Sequence, residues 1–439
     1  MKKLTKFKFF KVLSVFLISI FGYYFFEFYL IENKANLHFW CIQINNNFSF
    51  GFVNGISLPI HCDEGPYRLA SQSIDQFFSK NNPYQTRPLY VFLIHSLSNL
   101  IENILFLNLS DYQNFRFSMI ILQILIMISV VSVFSSIMKL EYKSYKDYLI
   151  IVLLIGIPGI RWNVFFPSVG NLTLLFFLIT LKLITDKPLR EKNKYFMYLF
   201  LGFLSLAHLS SIIYGLIYEF IDFVRSKKIN FLPRLFNLGL LIIFPLMYRL
   251  VVYVSNYEFY DWHTGIYGQF SWIIYELQGG TFFNFKTLTN HLVTYFSVTS
   301  NYLGYFLIFL GYFLCLVFLT KYKKKDVPIN VKYAFAINMV IFFFWGLQGI
   351  YESFRFTNYS IGYFLFVSTF ILLVESFEKN IYLIASLLLY LLSIGYIEPY
   401  NAALDYPQVN LLTYLSLLLF TVFIIKEIRL GKKDLIYDS

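Results

Sequence analysis

Long apolar runs separated by short charged loops set the pattern of this chain. Twelve runs read as helices crossing a bilayer: 10–30, 116–138, 148–160, 168–184, 195–207, 210–224, 235–254, 302–320, 331–347, 361–374, 381–397 and 411–425. A full crossing takes roughly 20 apolar residues. The shorter runs fit tilted or broken helices. The runs are continuous rather than alternating, which excludes a β-barrel. The pattern predicts an all-α polytopic membrane protein with about twelve transmembrane helices, residues 1–439 forming one integral membrane domain.

One apolar stretch has a different period. Between Pro88 and Ile104, the residues Leu89, Phe92, Leu93, Leu97, Leu100, Ile101 and Ile104 repeat at helical spacing, while His95, Asn99, Glu102 and Asn103 take the opposite face. Such a helix lies in the membrane interface rather than across it. A second candidate runs over 66–80, with Ala70, Ile74, Phe77 and Phe78 on one face. Each begins with a proline, which suits a first helical turn. Residues 32–115 therefore read as an outer loop holding two interfacial helices. A second long outer loop covers 255–301. It is rich in Tyr, Trp and His, including Tyr257, Trp262 and His263. Such rings form either an interfacial belt or the walls of a sugar-binding cleft.

Composition sharpens the class. Of the 439 residues 58% are hydrophobic and 14% charged, against about 25% charged in soluble domains. The formal charge is +11, and its placement matters more than its size. With the N-terminus inside, 27 of the 36 basic residues fall in cytoplasmic segments. That is the positive-inside pattern, so the charge is topological and a nucleic-acid partner loses its support. Residues 1–11 carry five lysines and lead into the first run. It is too long for a signal-peptide core and has no small-residue cleavage site after it, so it reads as an uncleaved first span. Both termini are then cytoplasmic, in the plasma or inner membrane of the cell. Cys41 and Cys62 share the first outer loop and can pair if it faces an oxidising space; Cys315 lies in an apolar run.

Nine basic residues stand outside the cytoplasmic set, and six are arginines: Arg68, Arg87, Arg116, Arg161, Arg249 and Arg355. An outer arginine has no topogenic use, and its planar fork suits phosphate or carboxylate. Arg249 lies well inside the seventh run. There it either extends to the interface or lines a cavity.

The densest polar stretch is His61-Cys62-Asp63-Glu64-Gly65-Pro66-Tyr67-Arg68, followed by Asn82-Pro83-Tyr84-Gln85-Thr86-Arg87-Pro88-Leu89-Tyr90. Asp63 and Glu64 immediately precede a helix start, where the dipole favours ionised carboxylates. An ionised Asp there can take a proton from an attacking hydroxyl. A plain helix cap with one solvated acid is the structural alternative.

The first outer loop with Asp63-Glu64, Tyr67 and Arg87-Pro88-Leu89 resembles the GT-C superfamily of integral membrane glycosyltransferases. Phe166-Pro167-Ser168 before Asn171 is similar to that family's second outer loop, although the acid some branches carry there is absent. Tyr351-Glu352-Ser353-Phe354-Arg355-Phe356 is similar to its late arginine-aromatic motif. The resemblance implies a GT-C-like fold and inverting transfer of a sugar from a polyprenyl-phosphate donor to a glycan, lipid or protein acceptor on the outer face. It implies Asp63 as general base and Glu64 as its orienter. Arg355 would neutralise the donor phosphate, with Arg87 as a second candidate; Tyr67 and Tyr84 would line the cleft. Arg68, Arg249 and His263 complete the candidate substrate-binding set. No cofactor is implied beyond the lipid-phosphate sugar as donor substrate. No outer Asp-x-Asp triplet occurs, so no metal is assigned. Two other classes stay open: a polysaccharide polymerase of the O-antigen type, and a transporter or flippase of lipid-linked substrates.

The charge split makes a direct prediction. Single cysteines placed at Lys80 and Lys323, in a background freed of native cysteines, will label from opposite sides of the membrane. Equal labelling from outside overturns the orientation.

Overall fold

In a computed structural model the protein is described over residues 6–25, 42–45, 58–61, 64–79, 82–104, 109–157, 160–161, 163–165, 168–186, 191–226, 231–257, 307–348, 362–393 and 411–437. It is helical apart from one short ladder. In chain order come α1 (Lys6–Phe25), β1 (Ile42–Asn45), β2 (Leu58–His61), α2 (Glu64–Gln72), α3 (Ile74–Phe77) and a 3-10 turn (Pro83–Thr86). Then follow α4 (Pro88–Ile104), α5 (Asp111–Ile137), α6 (Tyr145–Gly156), α7 (Gly170–Thr185), α8 (Glu191–Leu204), α9 (Ser210–Ser226) and α10 (Phe231–Val254). The remainder is α11 (Leu307–Tyr322), α12 (Ile329–Gln348), α13 (Tyr363–Glu375), α14 (Ile381–Ser393) and α15 (Leu411–Tyr437).

A helix lies on each of the twelve expected stretches. Among the described residues, three helices are long and apolar enough to cross a membrane: Asp111–Ile137, Phe231–Val254 and the Leu411–Leu430 part of α15. Six more are apolar but shorter. Helix is the natural solution for such sequences, because it satisfies every backbone donor and acceptor within the segment.

The chain gathers into two compact units, one of Met1–Lys34, Phe134–Trp162 and Phe285–Ser439, the other of Ala35–Val133 and Asn163–Asn284. The first holds α1, α6 and α11 to α15. Its buried arginine, Arg161, donates to the carbonyls of Gly156 (2.9 Å) and Leu391 (3.1 Å). Those are the C-terminal ends of α6 and α14, where a cation meets the negative end of each helix dipole. Tyr23 of α1 lies beside this guanidinium, 5.5 Å from ring centre to carbon, and its hydroxyl donates to Val152 O (3.2 Å). Arg161, one of the outer arginines of the sequence, thus ties three helices together. At the other end of these helices Lys379 pairs with Asp147, Lys323 with Glu427, and Asn330 with Glu375.

The second unit holds the ladder, the first-loop helices and α7 to α10. Ions gather at one end of it. The buried Glu219 carboxylate accepts from the Tyr198 hydroxyl, from Arg234 and from Asn237 Nδ2 (3.2 Å), and Asp222 pairs with Lys194 (2.7 Å). The opposite end carries the first-loop helices. There Leu89 N donates to Leu206 O (3.0 Å), and Phe78 stacks on Tyr257 with ring centres 4.3 Å apart. Loops that the charge split assigns to opposite sides therefore lie at opposite ends of this unit.

The expected helix over 66–80 is corrected: it breaks at Ser73, whose backbone is extended, into α2 and the one-turn α3. His95 on α4 donates from Nδ1 to Ser71 O (2.6 Å), taking a carbonyl that a continuing helix would use. Only an N–H can meet a carbonyl, so the proton sits on Nδ1, and Nε2 accepts from Asn99 Nδ2 (3.0 Å). Asn82 then closes α3, its Nδ2 donating to the carbonyls of Gln76 and Phe77 while its Oδ1 accepts from Tyr84 N. The ladder was not anticipated either.

α8, α9 and α10 meet at small residues. A Cβ at Gly202 would sit 2.6 Å from Leu240 O and 2.8 Å from Leu241 O. The fully buried Leu241 side chain fills the space beside Gly215. Gly202→Ala therefore drives a methyl into backbone that cannot rotate away. It is expected to destabilise by roughly 1–3 kcal/mol, overriding the better helix propensity of alanine. Gly239→Ala, where nothing lies within 4 Å, will be neutral or stabilising by up to about 1 kcal/mol. Melting of both variants in detergent checks the pair.

Candidate functional site

Four of the sequence candidates come together in the second unit. Tyr67, fully buried on α2, packs its ring 3.7 Å centre-to-centre from Tyr84, and edge-on to Tyr90 at 5.6 Å. Tyr84 comes from the 3-10 turn and Tyr90 from the first turn of α4. Arg87, which ends the 3-10 turn, donates from Nη1 to the Tyr67 hydroxyl. The Asn82 side chain sets this turn by accepting from Tyr84 N (3.0 Å), an Asx turn that the Asn-Pro pair favours. Tyr67 and Tyr84 are thus interior packing groups, while Arg87 remains half-buried.

Arg68 follows Tyr67 in the helix and is also half-buried. Its guanidinium carbon lies 5.8 Å from the centre of the Tyr112 ring. The fully buried Arg116, one turn further along α5, lies 5.9 Å from the same ring. Each separation is within cation–π range. Arg68 Nε is buried with no hydrogen-bond partner among the described residues. Arg68 and Arg116 thus share the Tyr112 ring, while Arg87 is held by the Tyr67 hydroxyl.

A buried polar chain supports the tyrosines from behind. Gln123 on α5 donates from Nε2 to the Tyr90 hydroxyl (2.8 Å) and to Ser168 O (2.5 Å). Its Oε1 accepts from Asn171 Nδ2 (3.4 Å) at the start of α7. Burial holds the Tyr90 hydroxyl protonated well above the ordinary tyrosine range; Tyr67 pushes the same way, and the Gln123 bond and Arg87 pull against it. Tyr90 is therefore a neutral hydrogen-bonding group here and not a base. Asn171, fully buried, braces Gln123. Gln123 was missed by the sequence reading, for which the available signal was a lone amide inside an apolar run; Tyr90 ended the second polar stretch but was given no role.

The remaining candidates are placed as follows. Glu64 opens α2. Asp63, His263 and Arg355 lie outside the described residues, as do Cys41 and Cys62. Arg249 is on the exposed side of α10 among Leu246, Met247 and Leu250, in the manner of an arginine that extends outward from an apolar face. Among the described residues no three His, Cys, Asp or Glu side chains gather as a metal ion would need. Chemically, Arg68 and Arg87, both half-buried, offer always-charged N–H donors for an anionic group.

No family model, curated protein or solved structure matches this chain.

The Gln123 brace can be tested alone. Gln123→Leu keeps the volume but leaves the buried Tyr90 hydroxyl and Ser168 carbonyl without their donor. Each orphaned group costs about 1–3 kcal/mol. In the double variant with Tyr90→Phe the loss will be less than additive, as read by thermal melting in detergent.

Proposed function

We propose that the chain is a multi-pass membrane glycosyltransferase that moves a sugar from a polyprenyl-phosphate donor to an acceptor hydroxyl on the outer face of the cell membrane. About twelve helices would cross the bilayer in a GT-C-like layout, with both termini cytoplasmic. The observation that supports the reading is that α2, the helix Glu64 opens directly after Asp63, carries Arg68, which shares the Tyr112 ring with the buried Arg116, and Tyr67, whose hydroxyl accepts from Arg87. Arginines held at a helix that paired acids introduce suit a reaction in which one group loses a proton and another leaves as an anion.

The proposed step is a single inverting displacement. Asp63 takes the proton of the acceptor hydroxyl as its oxygen bonds to the anomeric carbon. The bond from that carbon to the phosphate oxygen breaks, and its electron pair leaves with the lipid phosphate. Guanidinium groups neutralise that charge, a stabilisation that is commonly the largest catalytic contribution. Arg87 and Arg68 are the described candidates, with Arg355 the third. Glu64 orients the base or the acceptor.

Asp63→Asn tests the centre of the proposal. Asn caps a helix about as well as Asp, so expression, insertion and donor binding will stay near normal. Sugar transfer from a synthetic polyprenyl-phosphate sugar will fall roughly 10²–10⁴-fold, the usual cost of a lost general base. Glu64→Gln will cost less. Transfer by Asp63→Asn at the wild-type rate removes Asp63 as the base.

A further inference from the structure

At the end of the first unit where Lys379 meets Asp147, the acids are taken up by partners within the fold. Lys323 and Asn380 Nδ2 (3.2 Å) hold Glu427, Asn330 Nδ2 (2.9 Å) holds Glu375, and Lys321 (3.3 Å) holds Asp326. Cations are left over. Lys324, Lys325, Lys332 and Arg429 are exposed and meet no acid among the described residues. The ion pair from Lys323 to Glu427 brings the turn after α11 beside α15, so Lys324 and Lys325 stand at the same end as Lys426 and Arg429. Lys426 lies over the Tyr382 ring of α14, 5.1 Å from its centre. Ile329, Ile381 and Tyr382 are exposed at this end as well. Among the described residues there, Glu378 is the exposed acid left without a donor.

The ionic end of the second unit is different. There Lys182 meets Asp186, Lys194 meets Asp222, Arg234 meets Glu219, and Arg225 donates to the Ile184 carbonyl. The positive-inside pattern explains on which side lysines stand. It does not require that acids be held within the fold while cations are left outside, nor that one unit do this and the other not.

We propose that this end of the first unit is a docking surface for anionic phospholipid headgroups of the leaflet it faces, contacted by Lys324, Lys325, Lys332, Lys426 and Arg429. Basic clusters at the ends of membrane helices attract anionic headgroups, and the attraction fades within a Debye length. A lysine keeps its stem on apolar surface while its ammonium reaches the headgroup level, and an arginine fork takes two phosphate oxygens at once. The neighbouring apolar groups select the source of the phosphate. A leaflet offers phosphates with hydrocarbon directly beneath them, which suits cations set beside Ile329, Ile381 and the Tyr382 ring; a free phosphate matches the charges alone. Lipid docking here is independent of glycosyl transfer.

Thermal melting of the purified full-length protein in a neutral detergent tests this, with phosphatidylglycerol, phosphatidylcholine or glycerol phosphate added. Phosphatidylglycerol will raise the melting temperature, and high salt will remove most of the rise. Phosphatidylcholine and glycerol phosphate will leave it unchanged. In the variant Lys324→Gln, Lys325→Gln, Arg429→Gln, the phosphatidylglycerol needed for half the rise will increase roughly tenfold or more. Lys324→Arg with Lys325→Arg will keep the response, and so will Lys182→Gln in the second unit. The three glutamine positions are exposed, so melting without lipid will stay near wild type. If that variant melts early, Lys324→Gln alone makes the same comparison, with a smaller shift in the same direction. An equal rise from phosphatidylcholine or from glycerol phosphate overturns the proposal, as does an unchanged lipid response in the glutamine variants.

Discussion

A carboxylate buried among apolar helices has to be neutralised from within the protein, and Glu219 shows the constraint at its sharpest. Tyr198, Arg234 and Asn237 all donate to it. They come from α8 and α10, the helices either side of α9. Losing one partner from such a site costs about 3–5 kcal/mol, because the remaining charge stays buried. The same rule explains the first unit, where Asp147, Glu375 and Glu427 each meet a lysine or asparagine from another part of the chain. In each unit these charged contacts close one end of the helices and leave the apolar middle free of charge. Arg161 answers the rule differently, with main-chain carbonyls in place of acids.

That constraint also explains what could be read in advance. Continuous apolar runs and the uneven spread of lysine are properties of the sequence itself, and a helix lies on every expected run. Ends were read less well. α5 begins at Asp111, five residues before the expected Arg116, and α15 continues to Tyr437, well past residue 425. Polar residues continue a helix when local geometry suits them, and no hydropathy window registers that. The break at Ser73 was hidden for another reason. It goes with the bond from His95 to Ser71 O, 24 residues apart in the chain, and the spacing of apolar residues in 66–80 holds no trace of it. On α4 the expected apolar face is split: Phe92, Leu93 and Leu100 are exposed, while Ile101 packs inward together with Tyr90, Val91 and Ile94. A helix with apolar groups on two sides suits a position between protein and lipid.

The candidate site was legible in part. Six arginines were singled out because the expected orientation gave their charge no topological use, and Arg87 does come together with Tyr67 and Tyr84, while Arg68 lies by Tyr112. The tyrosines, however, look inward; their rings build the floor that holds Arg87. Arg116 was noticed only as one of six, since nothing in its neighbours distinguishes it from Arg161 or Arg249. Three of the six arginines thus have three structural settings: Arg116 buried beside a tyrosine ring, Arg161 capping two helix ends, and Arg249 exposed on α10. Burial and partners separate them, and both are properties of the fold.

The bond from Leu89 N to Leu206 O joins the first residues of α4 to the turn between α8 and α9. It is made by main-chain atoms, so it is indifferent to which side chains stand at either place. It is not indifferent to spacing. Inserting or deleting one residue in 205–209 shifts the acceptor by a full step of chain. This short turn should therefore stay fixed in length, while the buried Ser205 and Ala207 limit what can replace them.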